Sequence, residues 1–579
     1  VPVADSGANS AAVAQPKAPF AVVDGKEVPV PPIPMGDPAT IARIIDEGKN
    51  RNQVMQHLTH LSKNIGTRLT GSTNVRIANE WCRDQYVAWG LANPRLEKWG
   101  ELGVGFDRGP SKGVVLMPDD VRPRRRPAAG GAGAGADAAA QPTPEMRVVR
   151  EMQFSTLAWT AGTNGPVRGP VVWMPKTEDE YQANRAKYKG AWILMEPPPP
   201  IGQRGIRSRL GAAYGQRVDA RKRVKEGEKP ESLTLAQRLI FDGVAGYIST
   251  SRDERVWTGT WRGDDAKPAF SDIKIDEVPP DVHVVVRLSD YDYLNSRLAD
   301  NEDVSVEFDL KHTFIPGPIP VYNTIAEIRG TEKPEEVVII SAHLDTWDGP
   351  GSQGTTDNGT GTAVTLEAAR ILMAAGAKPK RTIRFIHWTG EEQGLLGSEA
   401  WVKANKDEWP RISCCFVDDG GTNYQGGTPA PEQMVEMLAA ATAPTNGVFF
   451  DTVDNKYLNV NIRKVTGRRI PGGGSSDHAS FNAVGIPGFY WDEVGRADYG
   501  YGWHTQHDKI DLAIPIYLEQ SATNSAITAY NLACAPAMMP RAERPTEPTP
   551  PGSRPSEPVP AKPGEPAPAT AAPSPPAQR

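Results

Sequence analysis

"SAHLDTWDGPGSQGTTDNGTG", residues 341–361, begins where an apolar run stops and ionisable groups take over. The run before it, "EEVVII" (335–340), has no polar alternation over its last four residues, which suits a strand covered on both faces. His343 and Asp345 follow, then a glycine-rich loop, then Asp357. Glycines let a chain adopt conformations and close approaches that other residues resist. In open α/β sheets, ligands bind outside the carboxyl ends of the strands, which is where this stretch would place His343.

The pattern around it repeats. "GTAVTLEAARILMAAG" has helical spacing, "RTIRFIHWTG" reads as a strand, "EEQGLLGSEAWVKAN" as a helix opened by Glu391 and Glu392, and "RISCCFVDDGG" as a strand ending in Asp418 and Asp419. Apolar strands separated by helices predict an α/β fold, a mixed sheet sandwiched by helices. "PIYLEQSATNSAITAYNLACAPAMM" reads as the last helix, and residues 39–104 begin with helical patterns, the second opened by serine or threonine. Between residues 105 and 311 short β-rich runs ("GPVVWMP", "GAWILME", "GYIST", "VHVVVRL") mix with two helical stretches, "TEDEYQANRAKY" and "SLTLAQRLIFDGV". Residues 1–38 and the proline-dense 540–579 read as disordered, and 127–144 as a flexible low-complexity loop.

The formal net charge of -6 gives no support to nucleic-acid binding. No apolar stretch approaches the length of a membrane span. Four cysteines without CxxC spacing are too few for a disulfide scaffold. The opening residues resemble the stretch after a removed signal peptide, so an extracellular or periplasmic location is the expectation.

Each cluster of ionisable residues has a plain reading. His343 and Asp345 are two apart and would share one face of a strand as a hydrogen-bonded pair. Thr389 to Glu392 fits a capping box, and "DDGG" is good turn chemistry. Together these readings fail, because acidic clusters and histidines gathered after the strands of one sheet repel and desolvate one another unless a cation joins them. Two divalent cations balance three carboxylates and a hydroxide. Histidine with Asp/Glu and no cysteine suits zinc, with manganese or cobalt as substitutes.

The ordered set "YNTIAEIRGTEKPEEVVIISAHLDTWD", "DNGTG", "RTIRFIHWTGEEQGLLGS", "DDGGTNY", "GGGSSDHASFNAVGIPG" and "WHTQHDKID", with "LSKNIGTRLTGSTN" upstream, resembles the di-zinc exopeptidase family. That family holds aminopeptidases and transferrin-receptor-like metallopeptidases, and the likeness is to its plasma glutamate carboxypeptidase branch. The resemblance implies a catalytic metallopeptidase domain over 312–539 and a protease-associated insert over 105–311. It implies two zinc ions held by His343, Asp357, Glu392, Asp419 and His504, with Asp357 bridging. It makes Glu391 the general base, Asp345 the partner of the His343 ring, and the Asp357–Asn358 peptide cis. Only one of Asp418 and Asp419 can face the metals, and the resemblance favours Asp419; it likewise favours His504 over His507. Asp477 and His478 would line the substrate pocket or merely cap a helix.

These readings make the protein a zinc exopeptidase of small peptides, an aminopeptidase or a dipeptidase, with no nucleic-acid partner and, by resemblance, a homodimer. The insert would lie over the site and restrict access to chain ends. Its basic stretch at 204–225 reads as a solvated face, or as the source of an arginine for a peptide carboxylate. A one-zinc glutaminyl cyclase and a non-catalytic receptor on the same fold are the alternatives; bound metal of two, one or none separates the three.

Overall fold

The computed structural model describes residues 19–119, 145–197, 220–260, 274–278, 280–467, 470 and 476–541. The low-complexity loop, the basic stretch before residue 220 and the proline-rich segment from residue 542 lie outside them.

Four parallel strands form the centre: β3 (Lys333–His343), β4 (Arg381–Trp388), β5 (Ile412–Val417) and β6 (Gly488–Tyr490), preceded in the chain by β1 (Ala92–Pro118) and β2 (Ser305–Ile328). Their order is β6-β5-β3-β4-β2, with β2 antiparallel to β4. The sheet is buried on both faces. Val338 and Ile340 face a core shared with the helices Thr360–Ala374 and Pro515–Cys534, whereas Val337 and Ile339 face one shared with Trp401, Val402 and Phe481. Strict alternation between two apolar cores is why the strand sequences show none of the usual polar alternation. A separate five-stranded sheet contains Tyr424–Pro431 and Asn461–Val465.

One expectation is corrected. Residues 20–29 are ordered strands: Phe20–Val23 pairs with Asn461–Val465, and Lys26–Pro29 pairs with Phe20–Val23, completing that second sheet. "FAVV" is a short run, yet Ala21 and Val22 are buried. β1 and β2 pair antiparallel along almost their whole length and carry the chain unbroken through residues 105 and 311. Beyond the ribbon the insert forms its own layer, with strands Val167–Trp173, Trp192–Leu194, Gly246–Thr250 and His283–Val286 around Trp192, Ile248 and Phe308. All four β-rich runs read from the sequence are strands. The helix Leu288–Ala299, with no hydrogen-bonding side chain at its N-cap, was not legible.

Candidate metal centre

His343 is the last residue of β3 and is fully buried. Its Nδ1 lies 2.9 Å from the Asp345 main-chain carbonyl, which can only accept, so Nδ1 carries the proton. The Nε2 lone pair then faces Asp419 Oδ1 at 3.0 Å and Asp357 Oδ1 at 3.3 Å. Asp357 presents its other oxygen, Oδ2, to His504 Nε2 at 3.0 Å, and Glu392 Oε2 lies 3.1 Å from the same nitrogen. The result is two triads, His343–Asp357–Asp419 and Asp357–Glu392–His504, sharing Asp357; within each, the ligand atoms lie within 4.8 Å of one another.

A lone pair aimed at two carboxylate oxygens needs a positive charge between them. The buried groups show the consequence when only protons can supply it. Burial alone would lower the His343 pKa, but Asp419 and Glu391 drive it well above the usual imidazole range. His504, also opposed by burial, is raised to about 9 by Glu392 and Asp357. Burial, with Asp357 beside it, lifts Glu392 to about 7. His504 Nδ1 is buried without a hydrogen-bond partner. This donor set fits divalent cations, and His/Asp/Glu without cysteine suits zinc.

Local folding delivers these groups. The chain from Gly354 to Thr360 turns Asp357 back towards β3, and the Asp357–Asn358 peptide is cis, as expected. Gly361 is required here: a Cβ on it would stand 2.1 Å from the Asp418 carbonyl oxygen, which also accepts a hydrogen bond from Asn358 Nδ2. Asp418 and Asp419 diverge as anticipated. Asp419 faces His343, while Asp418 accepts from Gln425 Nε2 at 2.6 Å.

Glu391 and Glu392 do not open a helix. The helix starts at Leu396, because Gly390 (φ 78°), Gly394 (φ 117°) and Leu395 (φ 63°) turn the chain first. The capping box that the plain reading of Thr389 to Glu392 allowed is absent; Thr389 Oγ1 instead donates to the Tyr322 carbonyl and accepts from Trp99 Nε1. Asp345 is also placed differently. It holds the His343 ring through its carbonyl, while its carboxylate, 3.7 Å from Nδ1, accepts from Thr70 Oγ1 and from the Glu391 N–H. Asp477 occupies the N-cap of the helix His478–Asn482 without capping it, and both its oxygens lack partners. Asp477 and His478 are fully buried, so in this structure neither lines an open pocket.

Several supporting residues escaped the sequence reading. Arg68 is completely buried and donates to the carbonyls of Gly66, Leu344 and Gly354. Asp508 accepts from the N–H groups of Thr356 and Asp357. Arg68 sits in the quoted upstream stretch and Asp508 follows His504 by four, but no spacing tells which carbonyl or N–H they meet.

Fold and site together place two adjoining candidate metal triads at the carboxyl ends of the central strands. Residues 323–526 match the model of Peptidase family M28. A Xenopus laevis protein named Carboxypeptidase Q is 29% identical over 227 residues, an alignment that spans 38% of this chain and 43% of that one. The Mus musculus protein of the same name is 24% identical over 503 residues, 86% of this chain and 88% of the relative. A crystal structure described as a Peptidase M28 precursor from Shewanella amazonensis has a TM-score of 0.54 at 20% identity, covering 87% of this chain and 98% of that one, and shows the same fold. Among the described residues no helix is long and apolar enough to cross a membrane.

Proposed function

We propose that the protein is a zinc-dependent exopeptidase of short peptides, with one ion in the His343–Asp357–Asp419 triad and a second in the Asp357–Glu392–His504 triad. The observation that carries this reading is Asp357, which turns Oδ1 to one imidazole and Oδ2 to the other. When bound, the ions would polarise the scissile carbonyl and acidify a water in the site.

Glu391 acts as the general acid–base. Its carboxylate lies 3.9 Å from His343 Nε2, at the edge of the ligand set. Burial, reinforced by Asp419, Glu392 and Asp477 and opposed by His343, raises its proton affinity well above the usual carboxylate range. A carboxylate of that kind takes a proton from the attacking water and returns it to the leaving nitrogen. Asp345 keeps it in place by accepting the Glu391 N–H. The insert supplies specificity by limiting access to chain ends.

The test is elemental analysis combined with hydrolysis of free, N-acetylated and C-amidated dipeptides, before and after chelation. Two metals per chain, with cleavage lost on chelation and restored by zinc, is the expected result. The blocked substrates then identify the end that is read. One metal with cyclisation of amino-terminal glutamine would favour the cyclase, and no metal with no cleavage would leave the fold without the activity.

A further inference from the structure

The two triads are supported differently. His343 is oriented within the peptidase domain, its Nδ1 held by the Asp345 carbonyl. Asp419 likewise depends on peptidase-domain neighbours: its carbonyl accepts from the Tyr490 hydroxyl, and Asp418 beside it is held by Gln425.

His504 lacks a ring hydrogen bond of that kind, although the Trp347 ring stands edge-on to it at 6.3 Å and Thr505 beside it is tied to Tyr501 and Gly502. Its Nδ1 has no hydrogen-bond partner, and its backbone adopts φ 55°. The insert adds contacts to its backbone and to the ring stacked on it. The Thr258 N–H donates to the His504 carbonyl at 2.9 Å, and Trp257 forms a β-bridge with Thr505. Gln506 closes the clamp from both sides, accepting from the Val256 N–H at 2.7 Å and donating to the Glu254 carbonyl at 3.0 Å. Trp257 packs edge-on to Trp503, which stacks on the His504 ring at 4.0 Å. Glu392 is reached by a similar route. Its Oε1 accepts the Trp347 N–H at 3.0 Å, and the next residue, Asp348, is locked in a buried ion pair with Arg108 on β1.

We propose that the insert is the positioning element for one metal subsite only, so that metal affinity at Asp357–Glu392–His504 depends on the seating of residues 254–258 while His343–Asp357–Asp419 is independent of it. This rests on the two-metal reading above. Partners that orient a ligating histidine typically govern metal affinity by about 10–100-fold. Binding that requires an ordered loop is weakened by whatever loosens the loop.

The experiment is cobalt(II) titration of the metal-free full chain, followed by d–d absorbance and by equilibrium dialysis, on the wild type, Gln506→Leu and Trp257→Ala. Gln506→Leu removes both side-chain bonds of the clamp without altering a ligand, and it carries the test if Trp257→Ala does not fold. The expected result is two ions in the wild type, with one phase in the variants shifted about 10–100-fold and the other unchanged. Two ions in every protein with unshifted affinities, or both phases shifted equally, would overturn the inference and leave the two-metal reading intact. Fewer than two ions in the wild type would overturn both.

Discussion

Asp418 and Asp419 are adjacent in sequence and both buried, yet their surroundings assign them different work. Asp419 Oδ1 is 3.0 Å from His343 Nε2, whereas Asp418 sits in an amide and hydroxyl network with Gln425, Asn524 and Ser525. Burial raises Asp418 to about 7, so a neutral side chain suits that position. Asp418→Asn should therefore keep activity within a few-fold, because the new amide oxygen still accepts from Gln425. Asp419→Asn should lose one metal and most turnover. Metal content and kcat/KM on a dipeptide measured side by side check both; equal damage from the two substitutions would reverse the assignment. Glu391→Gln should retain metal and lose turnover by about 100- to 10,000-fold. Near-normal activity in that variant would move the proton-transfer role elsewhere.

At the level of elements, the helix Thr360–Ala374 follows the bridging aspartate and is buried along nearly its whole length. Its position is fixed by Arg370, which pairs with Glu367 at 2.7 Å on its own helix and with Glu47 at 2.7 Å on the helix Pro38–Asn50; His57 adds a contact to Glu367 at 3.0 Å. Removing the cation strands two carboxylates, so Arg370→Met should cost about 3–5 kcal/mol of stability, read as a lower urea midpoint. A midpoint unchanged within error would mean that water already satisfies those carboxylates. The helices flanking the sheet and three of its parallel strands were legible from 3.6-residue spacing and unbroken apolar runs, and acids and histidines near strand ends marked the candidate clusters, but the choice of ligand within each cluster came from the resemblance. What stayed hidden depends on partners distant in sequence. The ribbon of β1 and β2 pairs residues some two hundred positions apart, Arg68 meets carbonyls at Leu344 and Gly354, and the turn before Leu396 follows from glycine conformations that a capping-box pattern does not reveal.

On the scale of the whole molecule, two histidines outside the metal centre, one buried and one half-buried, make the fold sensitive to acid. His387 lies on β4 with no exposed surface, its Nε2 2.7 Å from the Tyr86 hydroxyl, and burial lowers its pKa from 6.5 to about 3. His312, on the ribbon beside Arg108, is lowered to about 3 by burial and by that guanidinium. For both groups the unfolded chain binds a proton below pH 6.5 while the folded chain does not until about pH 3. Stability therefore rises with pH through this window and is lost as pH falls below 6.5. Each histidine contributes up to about 1.4 kcal/mol per pH unit. The metal ligands also titrate, so the useful quantity is the difference between wild type and a variant with the same ligands. His387→Gln keeps an acceptor for Tyr86 and removes the titration. Between pH 7 and pH 5 the wild type should lose about 2 kcal/mol more than this variant, seen as a urea midpoint that falls more steeply with acid. If the gap between the two midpoints stays constant across that range, His387 titrates alike in the folded and unfolded chains, and the acid sensitivity belongs to His312 or to the metal centre instead.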